Sequence, residues 1–323
     1  MLKQQTSLFY YPTSVMLVDD NERYLHSLQL RLRQDAHYIL DANPQDALTR
    51  VDQYRVSSQL IETCLKVSME DALDDTYRLD LSSLHHCIYQ PNRLLEVSVL
   101  VIDYAMPQMN GLQFCQQLSG SPVKKIMLTW MADADLAVAA FNDGLIDLFL
   151  MKDREDSFEQ LDRAILKLQH EYWVEQMRVV LSVLPADSIL NNPGLLELHS
   201  NLCHCHQLVE SYPLNVVGDM LLLDQAAKPH WLSVYDAARL ETLIQIAEGN
   251  EASDEVISMI RQRQAAPFFS SDADLQVPVS QWQSYLQPLH LWQRQDQQLY
   301  YSHIRNEPLY DEQLGKVVNY MDY

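Results

Sequence analysis

The fold is decided by Val99–Gly111, whose sequence is VLVIDYAMPQMNG. Its apolar, β-branched start is typical of a strand that is buried on both faces of a parallel sheet. Pro107 and the pair Asn110-Gly111 then favour a turn after Asp103. We therefore expect Asp103 at the carboxyl end of a central strand, where open α/β sheets bind their ligands.

Other apolar segments also end in a polar or charged group that can do chemistry. They are Ser14–Asp20, which closes on Asp19 and Asp20, Lys125–Thr129, which closes on a hydroxyl, and Leu148–Lys152, which closes on a lysine. The carboxyl ends of parallel strands meet at one edge of a sheet, so we expect these groups to converge there. The pattern predicts an α/β fold with its functional site at that edge.

The converging groups predict phosphoryl chemistry assisted by a metal. Asp19, Asp20 and Asp103 would repel one another unless a hard cation joined them, and Mg²⁺ suits a site of carboxylates, waters and phosphate oxygens. An aspartate carboxylate can attack phosphorus and form an aspartyl phosphate. A lysine can pair with phosphate oxygens, and a threonine hydroxyl can donate a hydrogen bond to them.

In their order along the chain, these residues resemble the receiver domain of two-component response regulators, over about residues 12 to 170. The resemblance implies a flavodoxin-like, doubly wound parallel sheet of five strands. It also implies a phosphoacceptor at Asp103 and a switch residue at Phe149. The other implied roles are Mg²⁺ binding by Asp19, Asp20, Asp103 and the Ala105 carbonyl, and phosphoryl contacts by Thr129 and Lys152.

The sequence departs from that family in three places. Asp153 follows Lys152 where most receivers have proline, so the usual cis peptide is in doubt. Trp130 follows Thr129 where a small residue is common. A predicted helical insertion at about residues 55–92 lengthens the chain between Asp20 and Asp103. It continues the helix that begins at Asn43-Pro44, and it is either packed on the domain edge or a partner-docking surface.

Composition limits the remaining alternatives. A chain of 323 residues suggests two domains, and its net charge of −21 disfavours non-specific binding to nucleic acid or anionic membranes. We find no apolar segment that could span a bilayer and no signal peptide. Five cysteines without framework spacing favour a reducing compartment. We therefore expect a cytoplasmic protein without a membrane partner.

The predicted domains are a receiver at residues 1–154, a linker helix at 155–184 and an output domain at 185–323. Within the linker helix, Phe158, Leu161, Ile165, Leu168 and Tyr172 follow heptad spacing. The first turns are expected to cover the receiver sheet. Beyond Leu168 the helix should pack on the output domain or on a second copy, and we expect a homodimer on phosphorylation.

The output domain is predicted to be α+β. Two hairpins are expected at Asp219–Tyr235 and Leu289–Ile304, with helices between them and a final helix at Pro308–Tyr320. The strand–helix–strand order is analogous to a PAS-type fold, without a motif to support it. A helix predicted at Leu195–Glu210 carries the dense set His199, Cys203, His204, Cys205 and His206. Zinc is one interpretation of this set, and buried cysteines with surface histidines is the other.

The resemblance implies a histidine kinase or phosphotransfer protein as the phosphoryl donor. The output domain lacks the common DNA-binding and nucleotide-enzyme motifs, so we favour a protein-binding or small-ligand-binding module. Residues 175–323 contain only 8 Lys and Arg against 19 Asp and Glu, whereas DNA-binding domains usually carry a basic face. The alternative is a transcriptional regulator with an unfamiliar DNA-binding domain. An output enzyme is disfavoured because the sequence offers no nucleophile–base pair.

Overall fold

A computed structural model of the 323-residue chain describes residues 7–65, 81, 84–130, 134–269, 277–294, 297–305 and 317. These residues form two compact units. The parallel unit consists of residues 11–60 and 91–178. The antiparallel unit consists of the described residues of 1–10, 61–90 and 179–322.

Strands and helices alternate along the parallel unit. In chain order the elements up to residue 182 are β1 (Ser14–Val18), α1 (Glu22–Arg31), β2 (His37–Asp41), α2 (Pro44–Gln53), α3 (Val56–Cys64), β3 (Val97–Ile102), α4 (Gly111–Gln117), β4 (Lys124–Thr129), α5 (Ala134–Asn142), β5 (Leu148–Met151) and α6 (Ser157–Ser182). The five strands form a parallel sheet in the order β2-β1-β3-β4-β5. The predicted five-stranded receiver fold is confirmed.

Both faces of this sheet are covered, as the apolar strand sequences predict. All six residues of β3 are buried. Val99 and Val101 pack with α1 and α6, whereas Leu100 and Ile102 pack with α2 and α4. This alternation follows from the period of two in a strand, which sends successive side chains to opposite faces. It produces the doubly wound arrangement that exposes only the strand ends.

The turns after the strands are fixed by asparagine caps. The side chains of Asn21, Asn43 and Asn110 accept hydrogen bonds from backbone N–H groups in the first turns of α1, α2 and α4. Gly111 is required where α4 begins, because a Cβ at this position would lie 2.5 Å from the backbone oxygen of Asp103. The Asn110-Gly111 pair thus brings the start of α4 directly against the phosphoacceptor candidate.

The helix predicted to continue from Asn43-Pro44 into the insertion is interrupted. It ends at Gln53, and α3 begins separately at Val56. The break has a physical cause, because the backbone N–H of Ser57 donates to the carboxylate of Glu96 at 2.9 Å and not to a preceding helical carbonyl. Further along the insertion, short 3₁₀ helices cover His85–Tyr89 and Pro91–Leu95, while its acidic residues at 70–75 lie outside the described part of the chain.

The long helix α6 extends from Ser157 to Ser182, close to the predicted range 155–184. The prediction that it leaves the receiver after Leu168 was wrong. Tyr172 donates to Glu96 at 2.5 Å, and Trp173 contacts Tyr11 with 4.5 Å between ring centroids. Tyr172 and Trp173 therefore pack within the parallel unit, beyond the end of its sheet. The helix remains in contact with this unit for two further turns.

The antiparallel unit contains the rest of the described elements. They are α7 (Pro193–His206), β6 (Leu208–Pro213), β7 (Met220–Asp224), β8 (Pro229–Tyr235), α8 (Ala237–Gly249), α9 (Asp254–Arg261), β9 (Ala265–Pro267), β10 (Leu286–Pro288), β11 (His290–Arg294) and β12 (Gln297–Arg305). Its main sheet has the order β11-β12-β8-β7-β6, with neighbouring strands antiparallel. Both predicted hairpins are confirmed as β7–β8 and β11–β12.

Strand β6 was missed, because the helix predicted to reach Glu210 ends at His206. Gln207 adopts a left-handed conformation with φ of 53° and directs the chain into β6. The buried polar residues Glu210 and Ser211 obscure the apolar signal of this strand. Ser211 also pairs with Tyr10, so residues near the N-terminus extend the antiparallel sheet. The helix predicted at Pro308–Tyr320 lies outside the described residues.

None of the helices in the described ranges is long and apolar enough to cross a membrane.

Candidate functional site

Three carboxylates converge at the carboxyl edge of the parallel sheet, as the sequence predicts. Asp19 and Asp20 follow β1, and Asp103 follows β3. One oxygen from each side chain lies within 4.8 Å of the others. Asp19 and Asp103 are 5% and 7% exposed, whereas Asp20 is exposed to solvent. The cluster therefore has a buried base and an open outer side.

Lys152 joins the two buried carboxylates. It follows β5, and its Nζ lies 2.6 Å from Asp19 Oδ2 and 2.8 Å from Asp103 Oδ1. The same ammonium lies 4.2 Å from the ring centroid of Tyr24, at the distance of a cation–π contact. One cation is thus held by two carboxylates and an aromatic face, and it compensates part of their buried negative charge.

The environment of Asp19 is dominated by burial, which raises the pKa of its carboxyl group. The hydrogen bond from Lys152 and the backbone N–H of Asn21, 2.9 Å from Asp19 Oδ1, act in the opposite direction. A second cation at this site would stabilise the ionised form further. Lys152 thus offsets only part of the effect of burial on this carboxyl group.

The two carboxylate oxygens of Asp103 have different partners. Its Oδ2 accepts a hydrogen bond from the backbone N–H of Ala105 at 3.0 Å. Its Oδ1 accepts no hydrogen bond of regular geometry from the described residues and is held by the ion pair with Lys152. Both carboxylate oxygens of Asp103 are therefore held in place, Oδ2 by a backbone N–H and Oδ1 by the lysine ammonium.

The residues of the cluster fit Mg²⁺. Magnesium binds through one or two carboxylates and keeps several waters or phosphate oxygens. Asp19, Asp20 and Asp103 supply hard oxygen ligands within a single ion's reach of one another. The sequence also assigned the carbonyl of Ala105 to the metal, and that assignment stays a prediction. Among the described residues, this is the only group of three His, Cys, Asp or Glu side chains with that spacing.

Thr129 and Phe149 lie on neighbouring strands of the same sheet. Thr129 ends β4 and is 1% exposed, and its carbonyl accepts the backbone N–H of Lys152 at 2.9 Å. Phe149 in β5 pairs with Met127 in β4 and is partly buried against the core on one face of the sheet. The two predicted switch residues are therefore close in the sheet, on strands whose ends border the site.

Tyr24 and Trp130 complete the surroundings of the site, and the sequence did not single out Tyr24. Tyr24 lies in the first turn of α1, where its N–H is capped by Asn21. Trp130 is 61% exposed, and its ring centroid lies 6.4 Å from that of Tyr24. The position of Tyr24 three residues after the cap was a usable signal, but its contact with Lys152 depends on the folded sheet.

No cis peptide bond occurs among the described residues, which includes the peptide after Lys152. The zinc interpretation of the helix around His199 and Cys203 also finds no support in the described part of the chain. His199 Nε2 contacts Ser211 Oγ at 2.8 Å and the thiol of Cys203 at 3.5 Å. The Nε2 of His199 is thus occupied in a buried contact, whereas its Nδ1 has no partner among the described residues.

One solved structure matches nearly the whole chain. It is the response regulator LqsR of Legionella pneumophila, with 28% identity and a TM-score of 0.78, covering 99% of this chain and 95% of that chain. This chain is thus similar over nearly its whole length to a response regulator. The resemblance predicted from the sequence is thereby confirmed, while the antiparallel unit is not assigned to a family.

Isolated receiver domains match about half of the chain. That of the Francisella response regulator 1452 is 14% identical, with a TM-score of 0.33, and covers 49% of this chain and 98% of that chain. The signal receiver domain of a putative Luxo repressor protein from Vibrio parahaemolyticus is 14% identical, with a TM-score of 0.35, and covers 51% and 96%. No protein-family model and no curated protein matches the sequence.

Proposed function

We propose that this protein accepts a phosphoryl group on Asp103 from a histidine kinase or phosphotransfer protein and thereby switches its antiparallel unit. The observation that carries the proposal is the convergence of Asp103 with Asp19, Asp20 and Lys152, whose Nζ lies 2.8 Å from Asp103 Oδ1. Clustered carboxylates and a lysine at one sheet edge are the groups that metal-assisted phosphoryl transfer to an aspartate needs.

The reaction requires little from the protein beyond position and charge. Asp103 Oδ1 attacks phosphorus, the new O–P bond replaces the N–P bond of the donor's phosphohistidine, and the imidazole leaves with the electron pair. A bound Mg²⁺ supplies charge neutralisation to the phosphoryl oxygens. Lys152, already at the attacking oxygen, pairs with a phosphoryl oxygen, and Thr129 supplies a hydroxyl donor.

The switch follows from the new charge. A phosphoryl group on Asp103 adds negative charge and strong acceptor oxygens beside Lys152 and Thr129. The Thr129 hydroxyl is drawn toward it, and Phe149 adjusts its packing, which changes the balance between two arrangements of α5, β5 and α6. Helix α6 continues from this face to Ser182 and passes the change to the following chain.

The output is proposed to be binding of a protein or small ligand. A serine–histidine contact does exist in the antiparallel unit, between Ser211 Oγ and His199 Nε2, but both residues are 0% exposed. Ser211 donates its proton to the Leu8 carbonyl at 2.6 Å, so the histidine does not activate it as a nucleophile. We therefore propose no output enzyme.

Homodimer formation on phosphorylation stays a prediction. The heptad residues from Leu161 to Tyr172 are buried within the parallel unit, so they do not supply the contact face. Val179 and Val183, at 46% and 41% exposure, are the apolar residues near the end of α6 that a second copy could cover.

Incubation with acetyl phosphate and Mg²⁺, followed by mass spectrometry of the intact protein, tests the central assignment. We expect one added phosphoryl group in the wild-type protein and none in Asp103→Asn. Asp41→Asn is the matched control, because Asp41 is also a buried carboxylate at a strand end, paired with Arg50 at 3.3 Å. Asp20→Asn should need more Mg²⁺ for the same labelling. Label retained in Asp103→Asn would defeat the proposal.

A further inference from the structure

A compact group of basic side chains lies on one face of the antiparallel sheet. We call His206, His230, His303 and Arg305 the histidine cluster. His230 in β8 pairs directly with Arg305 in β12, and His303 lies two residues before Arg305, so these three side chains share a face. His206 joins them from the end of α7, which packs against β12.

The side chains of the cluster are in direct contact. His230 Nδ1 lies 3.0 Å from His303 Nε2, and Arg305 Nη2 lies 3.1 Å from His206 Nε2. The ring centroids of His206 and His303 are 4.6 Å apart, and those of His230 and His303 are 5.2 Å apart. Four groups that can carry positive charge are thus held within one small area of the surface.

Among the described residues, Arg305 lacks the carboxylate partner that three other arginines of the unit have. Arg239, Arg261 and Arg294 form ion pairs with Asp219, Glu248 and Glu197. Arg305 is exposed and forms no ion pair with any described residue. An exposed arginine that donates to an imidazole and pairs with no described carboxylate has donors that an anion can use.

The surroundings of the cluster disfavour protonation of its histidines. Burial, with the neighbouring imidazoles and Arg305, lowers the pKa of His303 to about 3. Burial first, and Arg305 among the other causes, also lowers the pKa of His206 and of His230. His290 on β11 acts on His303 in the same direction, and Asp224 on β7 opposes the shift of His230. The carboxyl end of α7 favours a protonated His206.

We propose that the histidine cluster binds a phosphoryl dianion, either free phosphate or the phosphate group of a small monoester, and takes up protons as it does so. The inference rests on the proposed role of the antiparallel unit as a binding module. Arg305 offers planar donors suited to phosphate oxygens. Each imidazole that gains a proton becomes a hydrogen-bond donor on both nitrogens. The histidines then donate to the bound anion and no longer to one another.

A metal site is the competing interpretation of three adjacent histidines, and two observations disfavour it. The only described group of three potential ligands that converges within 4.8 Å is the aspartate cluster of the parallel unit, so the three imidazoles do not converge on one point. The guanidinium of Arg305 also lies at His206 Nε2, where it would repel a divalent ion.

Isothermal titration calorimetry of the full chain in EDTA tests the proposal with three probes. Sulfate is a tetrahedral dianion that does not titrate near neutral pH, so any proton uptake that accompanies its binding belongs to the protein. Inorganic phosphate and adenosine monophosphate then distinguish a free anion from a monoester. We expect saturable binding that is tighter at about pH 6 than at about pH 7.5, with heats that depend on the ionisation enthalpy of the buffer.

Variants locate the binding site. Arg305→Gln and His303→Asn should each weaken binding by at least about tenfold, the size of one charge-assisted hydrogen bond. Arg261→Gln and His204→Asn are matched controls, because both residues are exposed and lie outside the cluster, and they should stay within about twofold of wild type. If His303→Asn lowers thermal stability, His230→Asn and Arg305→Gln decide the question.

Anion binding by the histidine cluster should not depend on Asp103. Binding should persist in Asp103→Asn, so a failure of phosphorylation at Asp103 leaves this test intact. Absence of saturable sulfate and phosphate binding would overturn the proposal, as would unchanged affinity in Arg305→Gln. Zinc binding that needs the histidines but not Arg305, without phosphate binding, would replace it with a metal site.

Discussion

At the scale of single residues, the ammonium of Lys152 is held by Asp19, Asp103 and the ring of Tyr24. The aromatic face limits where the lysine can go when a phosphoryl group arrives. Tyr24→Leu removes the cation–π contact, worth about 0.5–2 kcal/mol, and should slow labelling by acetyl phosphate several-fold.

Tyr24→Phe is the control, because it keeps the ring and removes only the hydroxyl. We expect it to label at nearly the wild-type rate. Equal slowing in both variants would show that the hydroxyl, and not the aromatic face, is the important group.

A second residue-scale prediction concerns pH. His199 is fully buried, with no partner at Nδ1 among the described residues, and burial lowers its pKa to about 4. The unfolded chain takes up this proton near pH 6.5, so His199 contributes its stability fully above that value and loses it as pH falls toward 4. Between about pH 7 and about pH 5.5 the loss should be about 1 kcal/mol.

Urea unfolding at the two pH values measures this loss. His199→Asn should reduce the pH dependence by that amount, whereas the exposed His204→Asn should leave it unchanged. The histidine cluster contributes to the same wild-type dependence, so the comparison with His204→Asn, and not the absolute slope, decides.

The residues that converge around Asp103 could be predicted because each lies at the carboxyl end of its own strand. Asp19, Asp103, Thr129 and Lys152 are local signals, an apolar segment followed by a polar group, and the parallel sheet then brings them together. The histidine cluster had no such signal. His206, His230 and His303 are far apart in sequence, and only the register of β8 with β12 and the end of α7 unites them.

At the scale of elements, α6 is fastened to the parallel unit by Glu96. Its buried carboxylate accepts hydrogen bonds from Tyr11, Tyr172 and both the N–H and hydroxyl of Ser57. Burial raises the pKa of this carboxyl group, and these donors oppose the shift. The network joins β3, α3 and α6 at the edge of the sheet opposite Asp103.

Glu96→Gln should therefore destabilise the protein by about 1–3 kcal/mol, because the amide nitrogen meets donors where an acceptor is needed. Urea unfolding followed by circular dichroism measures this loss, and the fluorescence of the five tryptophans, which include Trp173 in contact with Tyr11 and Tyr172, gives a second signal. The control on the same helix is Glu171→Gln, which removes only a surface pair with Lys167 and should cost less than about 0.5 kcal/mol. Equal effects would show that the network adds nothing to the attachment of α6.

The hydrogen bonds of Glu96 also explain why the heptad pattern of α6 predicted the packing of only part of this helix. Leu161, Ile165 and Leu168 pack on the sheet, as their spacing predicts. Tyr172 continues the spacing but is buried by a polar contact with a glutamate that is distant in sequence. Apolar periodicity identifies the buried face of a helix and cannot identify what buries it.

At the scale of the whole molecule, the distribution of charge suits the binding of one phosphoryl group and does not suit the binding of DNA. A specific duplex binder makes about 6–10 phosphate contacts, each of which releases counterions. Three arginines of the antiparallel unit are already paired with carboxylates, and residues 175–323 hold 19 acids. Arg305 with three histidines can surround a single phosphate, but it cannot follow a backbone.

We therefore expect the phosphorylated full-length protein to give no mobility shift with random duplex DNA at micromolar concentration and low salt. Addition of salt is the control, because true phosphate contacts weaken steeply as salt rises. Salt-sensitive binding at or below micromolar concentration would contradict the expectation and favour the transcriptional-regulator alternative. A dimer would then be the explanation. A second copy doubles the number of unpaired arginines, which would lie on one side of the assembly while the acids of both copies face away.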